Sequence, residues 1–340
     1  MDVVSQIIYN VAILFIMMVP GIILKKCNMI SDGFGKGLSN LVLYIAQPAL
    51  IFLAYLRDYD ANILKNSLIV LIFSVFTHSL FTVGAMLAFK KAPDGQARML
   101  KFATIFSNAA FMGIPLISAV LEDAYPGSTL YASIYNITFN LFLWSLGVGI
   151  CTKGRDINVN KVDDFKEVSK LTKTPNDDEI VKDGSGSIMK AILHPVTIAA
   201  AIGLIFFITP ANTVVPDIVE ESFTMLKNLV APLSMVVIGL RLADMNFKGV
   251  HKDVFMYIFL ALRHIALPLI VVGVIKLIGL AVDIPYEVAA VTVIMSAAPA
   301  ASSATMFAEK FNCDAMYVSR LVTISTLLSI LTMPLVIMLL

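Results

Sequence analysis

Long apolar runs alternate with short polar joints along this chain, and the runs are long enough to cross a lipid bilayer. About 20 consecutive apolar residues span a hydrocarbon core of about 30 Å. On that measure the pattern predicts ten helical spans. Five cover about 3–24, 33–56, 64–89, 99–121 and 128–151, and five more cover about 188–209, 218–242, 254–280, 285–308 and 315–340. Between the two sets lies 152–187, the single long polar stretch, rich in Lys, Asp, Glu, Ser and Gly. It reads as a loop that cannot bury a core of its own. The opening residues, Met1-Asp2-Val3-Val4, carry no basic leader, and no small-residue cleavage site follows, so the first run is expected to stay as a helix.

Composition narrows the class. Hydrophobic residues make up 58% of the chain and charged residues 14%, against about 25% charge in soluble domains. The expected fold is therefore an all-α polytopic membrane protein, with the lipid bilayer as its principal partner. A net charge of +1 gives no electrostatic footprint for nucleic acid. Of the 25 Lys and Arg, 19 fall in or beside the joints after spans 1, 3, 5, 7 and 9. The positive-inside rule puts those joints, and the 152–187 loop, in the cytoplasm and both termini outside a cell membrane. Five spans is an odd number, so the second half, 188–340, enters inverted relative to the first, 1–151.

Prolines support a repeat. Pro115 and Pro299 are 184 positions apart, as are Pro48 and Pro232. Pro115 lies in Ser107-Asn108-Ala109-Ala110-Phe111-Met112-Gly113-Ile114-Pro115, and Pro299 in Ser296-Ala297-Ala298-Pro299-Ala300-Ala301-Ser302-Ser303-Ala304. A proline inside a helix removes a donor and clashes with the carbonyl one turn earlier. In hydrocarbon such a break survives only against protein or a water-filled cavity. Small residues around both prolines would let two broken helices cross closely. Half-helices starting mid-membrane would then aim unpaired N–H groups and partial positive charge at a common point, which suits a carboxylate. Asn108, Ser107, Gly113, Pro115, Pro299, Ala300, Ser302 and Ser303 are the expected lining. For Pro20, Pro268 and Pro334 a plain kink is the simpler expectation.

Other polar residues inside the spans are candidates by their rarity. Arg263 and His264 lie deep in span 8. Arg320 lies over one turn into span 10 and aligns with Asn136 at the same offset of 184. Asn136 and Asn140 share a helix face. Arg320 is a candidate for a place beside the crossing, with snorkelling to the cytoplasmic surface as the rival reading, while Glu122 and Glu309, near span ends, are expected to be solvated. The cysteines Cys27, Cys151 and Cys313 form no metal-binding or disulfide pattern. No zinc-protease, nucleophile-elbow or paired-aspartate signature is present, so no catalytic residue, metal or cofactor is assigned.

The segment Asn108-Ala109-Ala110-Phe111-Met112-Gly113-Ile114-Pro115 resembles the N-T-x-x-M-G-x-P stretch of the auxin efflux carrier family, which includes the plant PIN-FORMED proteins and bacterial malate and malonate permeases. Ala298-Pro299 followed by Phe307-Ala308-Glu309-Lys310-Phe311-Asn312 resembles the corresponding second-half motif. The resemblance implies a secondary transporter of organic anions built from two inverted five-helix repeats, with helices 4 and 9 crossing. It also implies an elevator-type mechanism, a scaffold of about 1–56 and 188–242, a transport unit of about 64–151 and 254–340, and a homodimer. Asn108 matches the family's crossover asparagine. Helix 9 departs from the plant pattern, with Ala300, Ala301, Ser302 and Ser303 where a further amide would stand. A small carboxylate such as malate or malonate is therefore expected ahead of auxin. Coupling to H+ or Na+, as in a bile-acid-like symporter, stays open, and so does a sensing role for the 152–187 loop.

Overall fold

Backbone N–H and C=O groups have no water to bond in hydrocarbon, so apolar runs of this length satisfy themselves as helices. The computed structural model describes residues 3–31, 33–152, 192–209, 215–243 and 253–340, and among these there is no strand. The 152–187 loop beyond Thr152 lies outside the described residues. In chain order the helices are α1 (Val3–Ile16), α2 (Val19–Lys26), α3 (Phe34–Tyr55), α4 (Ala61–Ala88), α5 (Asp94–Ile105), α6 (Ala109–Val120) and α7 (Ser128–Thr152). They continue as α8 (Pro195–Ile208), α9 (Asp217–Lys227), α10 (Val230–Ala243), α11 (Val254–Gly279), α12 (Tyr286–Ala297), α13 (Ser303–Lys310) and α14 (Ala315–Ile337).

Seven stretches among the described residues are long and apolar enough to cross a membrane: Tyr9–Lys26, α3, α4, α7, Asp217–Ala243, α11 and α14. Three apolar helices are shorter, α6, α8 and α12. Two of these are short because a span is interrupted: α5 and α6 are separated at Phe106–Asn108, and α12 and α13 at Ala298–Ser302. Aspartates begin several helices by accepting an N–H of the first turn. Asp60 takes that of Asn62 at 2.7 Å, Asp253 that of Met256 at 3.1 Å and Asp314 that of Tyr317 at 2.9 Å.

Prolines act differently from the simple expectation. Widened π-turns cover Val42–Ala46, Ala109–Gly113 and Leu262–Ala266, and each ends two residues before a proline: Pro48, Pro115 and Pro268. The extra residue in the turn moves the carbonyl that a proline ring would strike. Pro115 therefore does not break its helix; it sits in the first α-turn after a π-turn. Pro299 does lie in a break, so prolines matched by sequence offset occupy unlike places. Pro20 follows an interruption at Met17–Met18, whereas Pro334 stays inside a continuous α14.

α2 packs on α10 and α3 on α8, while α6 also rests on α10 and α7 on α3. Between α2 and α10 the backbones are in direct contact. There a side chain on Gly21 would run into the Val236 carbonyl, and one on Gly239 into that of Met18. Only glycine lets the two backbones touch. Around α4–α7 and α11–α14 the core is aromatic and aliphatic, with Phe81, Phe102, Phe106, Tyr131 and Tyr135 almost wholly buried.

Candidate site at a helix crossing

The two interruptions meet. Ser107 and Ala300 form a one-residue antiparallel bridge. Asn108 donates its N–H to Pro299 O at 2.7 Å, and Ala301 donates to Phe106 O at 2.8 Å. Each break thus supplies partners that the other lacks, and this is how unwound backbone persists at membrane depth. The Ala300 N–H donates to Ser325 Oγ on α14 at 2.8 Å. Sequence signals for the first break are Ser107 and Asn108 themselves, a polar pair between Phe106 and Ala109.

Beside the bridge lies a cavity of about 10 Å³, lined by Asn108, Ile238, Arg241, Leu242, Ser302, Val322, Thr323 and Thr326. That is roughly the room needed for one water. Asn108 precedes the first residue of α6 and Ser302 that of α13, so the positive ends of both half-helices open on this space. Ser302 Oγ donates to Asn108 Oδ1 at 3.3 Å, and the buried Asn108 Nδ2 has no partner among the described residues. Arg241, at the end of α10, donates through Nη1 to Ser302 O. Thr323 and Thr326 turn their hydroxyl hydrogens back to the carbonyls of Ser319 and Val322. The donors that remain suit an acceptor-rich, negatively charged ligand.

A family model described as membrane transport protein matches residues 6–337. The chain belongs to this family, which is that of the auxin efflux carriers. It is also similar to an uncharacterized transporter of Methanothermobacter thermautotrophicus, 23% identical over 325 residues and 94% of each chain. A multi-pass membrane transport protein accounts for both the apolar spans and the crossing.

Within this transport protein the expected residues fall into three sets. Asn108 and Ser302 line the cavity, while Ser107, Pro299 and Ala300 build the bridge and Ser303 opens α13. Gly113 and Pro115 lie further along α6; a Cβ on Gly113 would come within 2.5 Å of the Met295 Sδ on α12. Asn136 and Asn140 are buried on α7, each with one polar atom unpaired among the described residues, and neither lines the cavity. Arg320 is not among the residues lining the cavity; its Nη2 lies 3.5 Å from the Met316 sulfur one turn earlier, and its buried Nε has no partner among the described residues.

Arg263 lies at the crossing itself. It is fully buried, with Nη1 3.2 Å from Thr104 O, Nη2 on Ala298 O and its guanidinium 5.0 Å from the centre of the Phe81 ring. Next to it, His264 bonds Ser325 Oγ at 2.8 Å and Thr332 Oγ1 at 3.0 Å, so it braces the residue that receives the Ala300 N–H.

Arg241 and Gln47 were not legible as site residues. Arg241 looks like one more positive charge at a span end. Gln47 looks like a core amide, yet its role follows from backbone geometry. In the π-turn, Gly113 N–H reaches Asn108 O at 3.1 Å and Ile114 N–H reaches Ala109 O. The next acceptor is Ala110 O, and Pro115 has no N–H to offer it. Gln47 Nε2, from α3, donates there instead.

Glu122 is not solvated as expected. It is four-fifths buried and accepts from Arg57 Nη2 at 2.7 Å, Gly127 N–H at 3.0 Å and Thr129 N–H at 2.7 Å. Burial alone would raise its carboxyl, but the bonds from Thr129, Gly127 and Arg57 outweigh burial and hold it below the usual carboxylate value. Gly127 has φ +107°, a left-handed conformation that only glycine adopts without strain.

Proposed function

We propose that this protein is a secondary carrier for a small organic anion, a carboxylate such as malate, malonate or an auxin-like acid, moved across the cell membrane by elevator-type alternating access. One observation carries the reading: the first residues of two half-helices, an unpaired Asn108 Nδ2 and the Arg241 guanidinium converge on one buried point. A carboxylate there would take charge-assisted bonds from the amide and the guanidinium and gain from both helix dipoles.

The proposed moving unit is α4–α7 with α11–α14, and the proposed frame is α1–α3 with α8–α10. Among the described residues, polar contacts between the two include Gln47 to Ala110, Tyr55 to Ser133 and Arg241 to Ser302, and Arg57, on the connection after α3, reaches Glu122. The cavity has frame residues on one side, Ile238, Arg241 and Leu242, and moving-unit residues on the other. Family resemblance supports a homodimer, and the Lys and Arg distribution supports outside termini with 152–187 cytoplasmic.

The test is uptake of labelled malate, malonate and indole-3-acetate into proteoliposomes by wild type and Asn108→Ala. Saturable wild-type uptake of at least one acid, weakened in Asn108→Ala, is expected. Uptake by wild type no greater than by empty liposomes for all three would sink the carboxylate reading.

A further inference from the structure

The half-helix N-termini open on the cavity, but their partners, the C-terminal ends of α5 and α12, lead into the same crossing from the other direction. A helix C-terminus ends in carbonyls with no intrahelical donor and carries partial negative charge. Thr104 O belongs to the last turn of α5, and Ala298 caps α12. One guanidinium, that of Arg263, donates to both, one nitrogen to each. Its outer face is closed by the Phe81 ring, and among the described residues no carboxylate forms an ion pair with it. A fully buried positive charge held only by carbonyls and an aromatic face is coordinated much as a metal cation would be.

We propose that Arg263 is a resident cation. It occupies the place between two half-helix ends where carriers built from broken helices hold a coupling Na+. An arginine is charged at every physiological pH and presents a planar fork of donors, so it cannot dissociate from these carbonyls as an ion does. A metal ion would have to share the same oxygens with a guanidinium against like-charge repulsion. The crossing is therefore held together identically with or without Na+, and the carrier needs no metal cation at these carbonyls. Arg263 is a positioning residue: it fixes where α6 and α13 begin, and through them where Asn108 and Ser302 stand. The inference is independent of which anion is carried.

The experiment follows the melting temperature of the purified full-length protein in sodium, potassium or choline chloride at equal ionic strength. Wild type should melt at one temperature in all three salts. Arg263→Ala should melt lower by about 5–10 °C. Guanidinium at low millimolar concentration, far below denaturing levels, should restore at least half of that loss while leaving wild type unmoved. Arg263→Lys, with a single ammonium, should lie between the two and respond less to guanidinium. A wild type that gains stability in sodium over choline overturns the proposal, and that arm needs no variant to fold. So does an Arg263→Ala protein that melts like wild type, or one that guanidinium does not rescue. A purely space-filling role would give the loss without the rescue.

Discussion

The two sides of the crossing use one principle to opposite ends. On the side of the half-helix N-termini, donors are left over: Asn108 Nδ2 has no partner among the described residues, and Arg241 reaches in from α10. On the side of the C-termini, Arg263 of α11 donates to Thr104 O and Ala298 O under Phe81, while its own buried Nε is unpaired among the described residues. Both sides set a positive group against helix ends. Where the helix end is itself positive, a donor is left unpaired and the arrangement suits an anion, with Glu309 the carboxylate that acts on Arg241. Where it is negative, the guanidinium already ties one carbonyl of each helix end and serves as a fastening. A buried arginine is therefore not evidence of binding by itself; the polarity of the helix end beside it decides.

Substitutions can break this comparison, most severely by adding charge on the unsaturated side. Asn108→Asp should lower anion affinity by at least about 100-fold at neutral pH, because a second negative charge would share the low-dielectric pocket. Direct binding across a pH series checks this, with recovery expected where the aspartate takes a proton. Arg241→Gln and Asn108→Ala should each lower affinity by about 10- to 100-fold, the worth of a charge-assisted hydrogen bond. Unlike Arg263→Ala, both should melt close to wild type. An Arg241→Gln protein with wild-type affinity would leave that arginine as a simple tether to Ser302.

Smaller effects sharpen the contrast. Glu122→Gln removes a carboxylate whose ionised form the fold favours, and should destabilise the protein by about 1 kcal/mol near neutrality. That contribution is present above about pH 4.5 and fades as pH falls through the lower folded-state value, so the gap between wild type and variant should close in acid. Thermal melts at several pH values measure it. Arg320→Gln should be the mildest change, with uptake altered less than about twofold, since its charge lies at a half-buried position where long side chains snorkel.

How much of this the sequence discloses depends on whether identity or backbone carries the information. The apolar runs place the helices to within a few residues, because length and hydropathy are what a bilayer selects. Ser107, Asn108 and Pro299 mark the crossing, since polar and imino residues are rare in such runs. Pro115 misleads because the π-turn at Ala109–Gly113 absorbs it, and a widened turn has no residue signature. Arg263 is conspicuous as a deep charge, but its partners are carbonyls of Thr104 and Ala298, and any residue has a carbonyl. Arg241 is hidden for a different reason: at the end of a span, a charge that snorkels and a charge that binds look alike.

The Gln47 bond has a kinetic consequence. It lies in the proposed frame, while Ala110 lies in the proposed moving unit. Sliding of one past the other, as proposed, strips the Ala110 carbonyl of a donor that Pro115 can never replace. A buried carbonyl left bare costs about 1–3 kcal/mol, equivalent to a slowing of roughly 5- to 150-fold if no other group steps in at the top of the barrier. Under the proposed stroke, one missing hydrogen atom on a proline nitrogen would set part of the turnover time, and whichever donor met Ala110 O at its far end would decide how long the carrier stayed there.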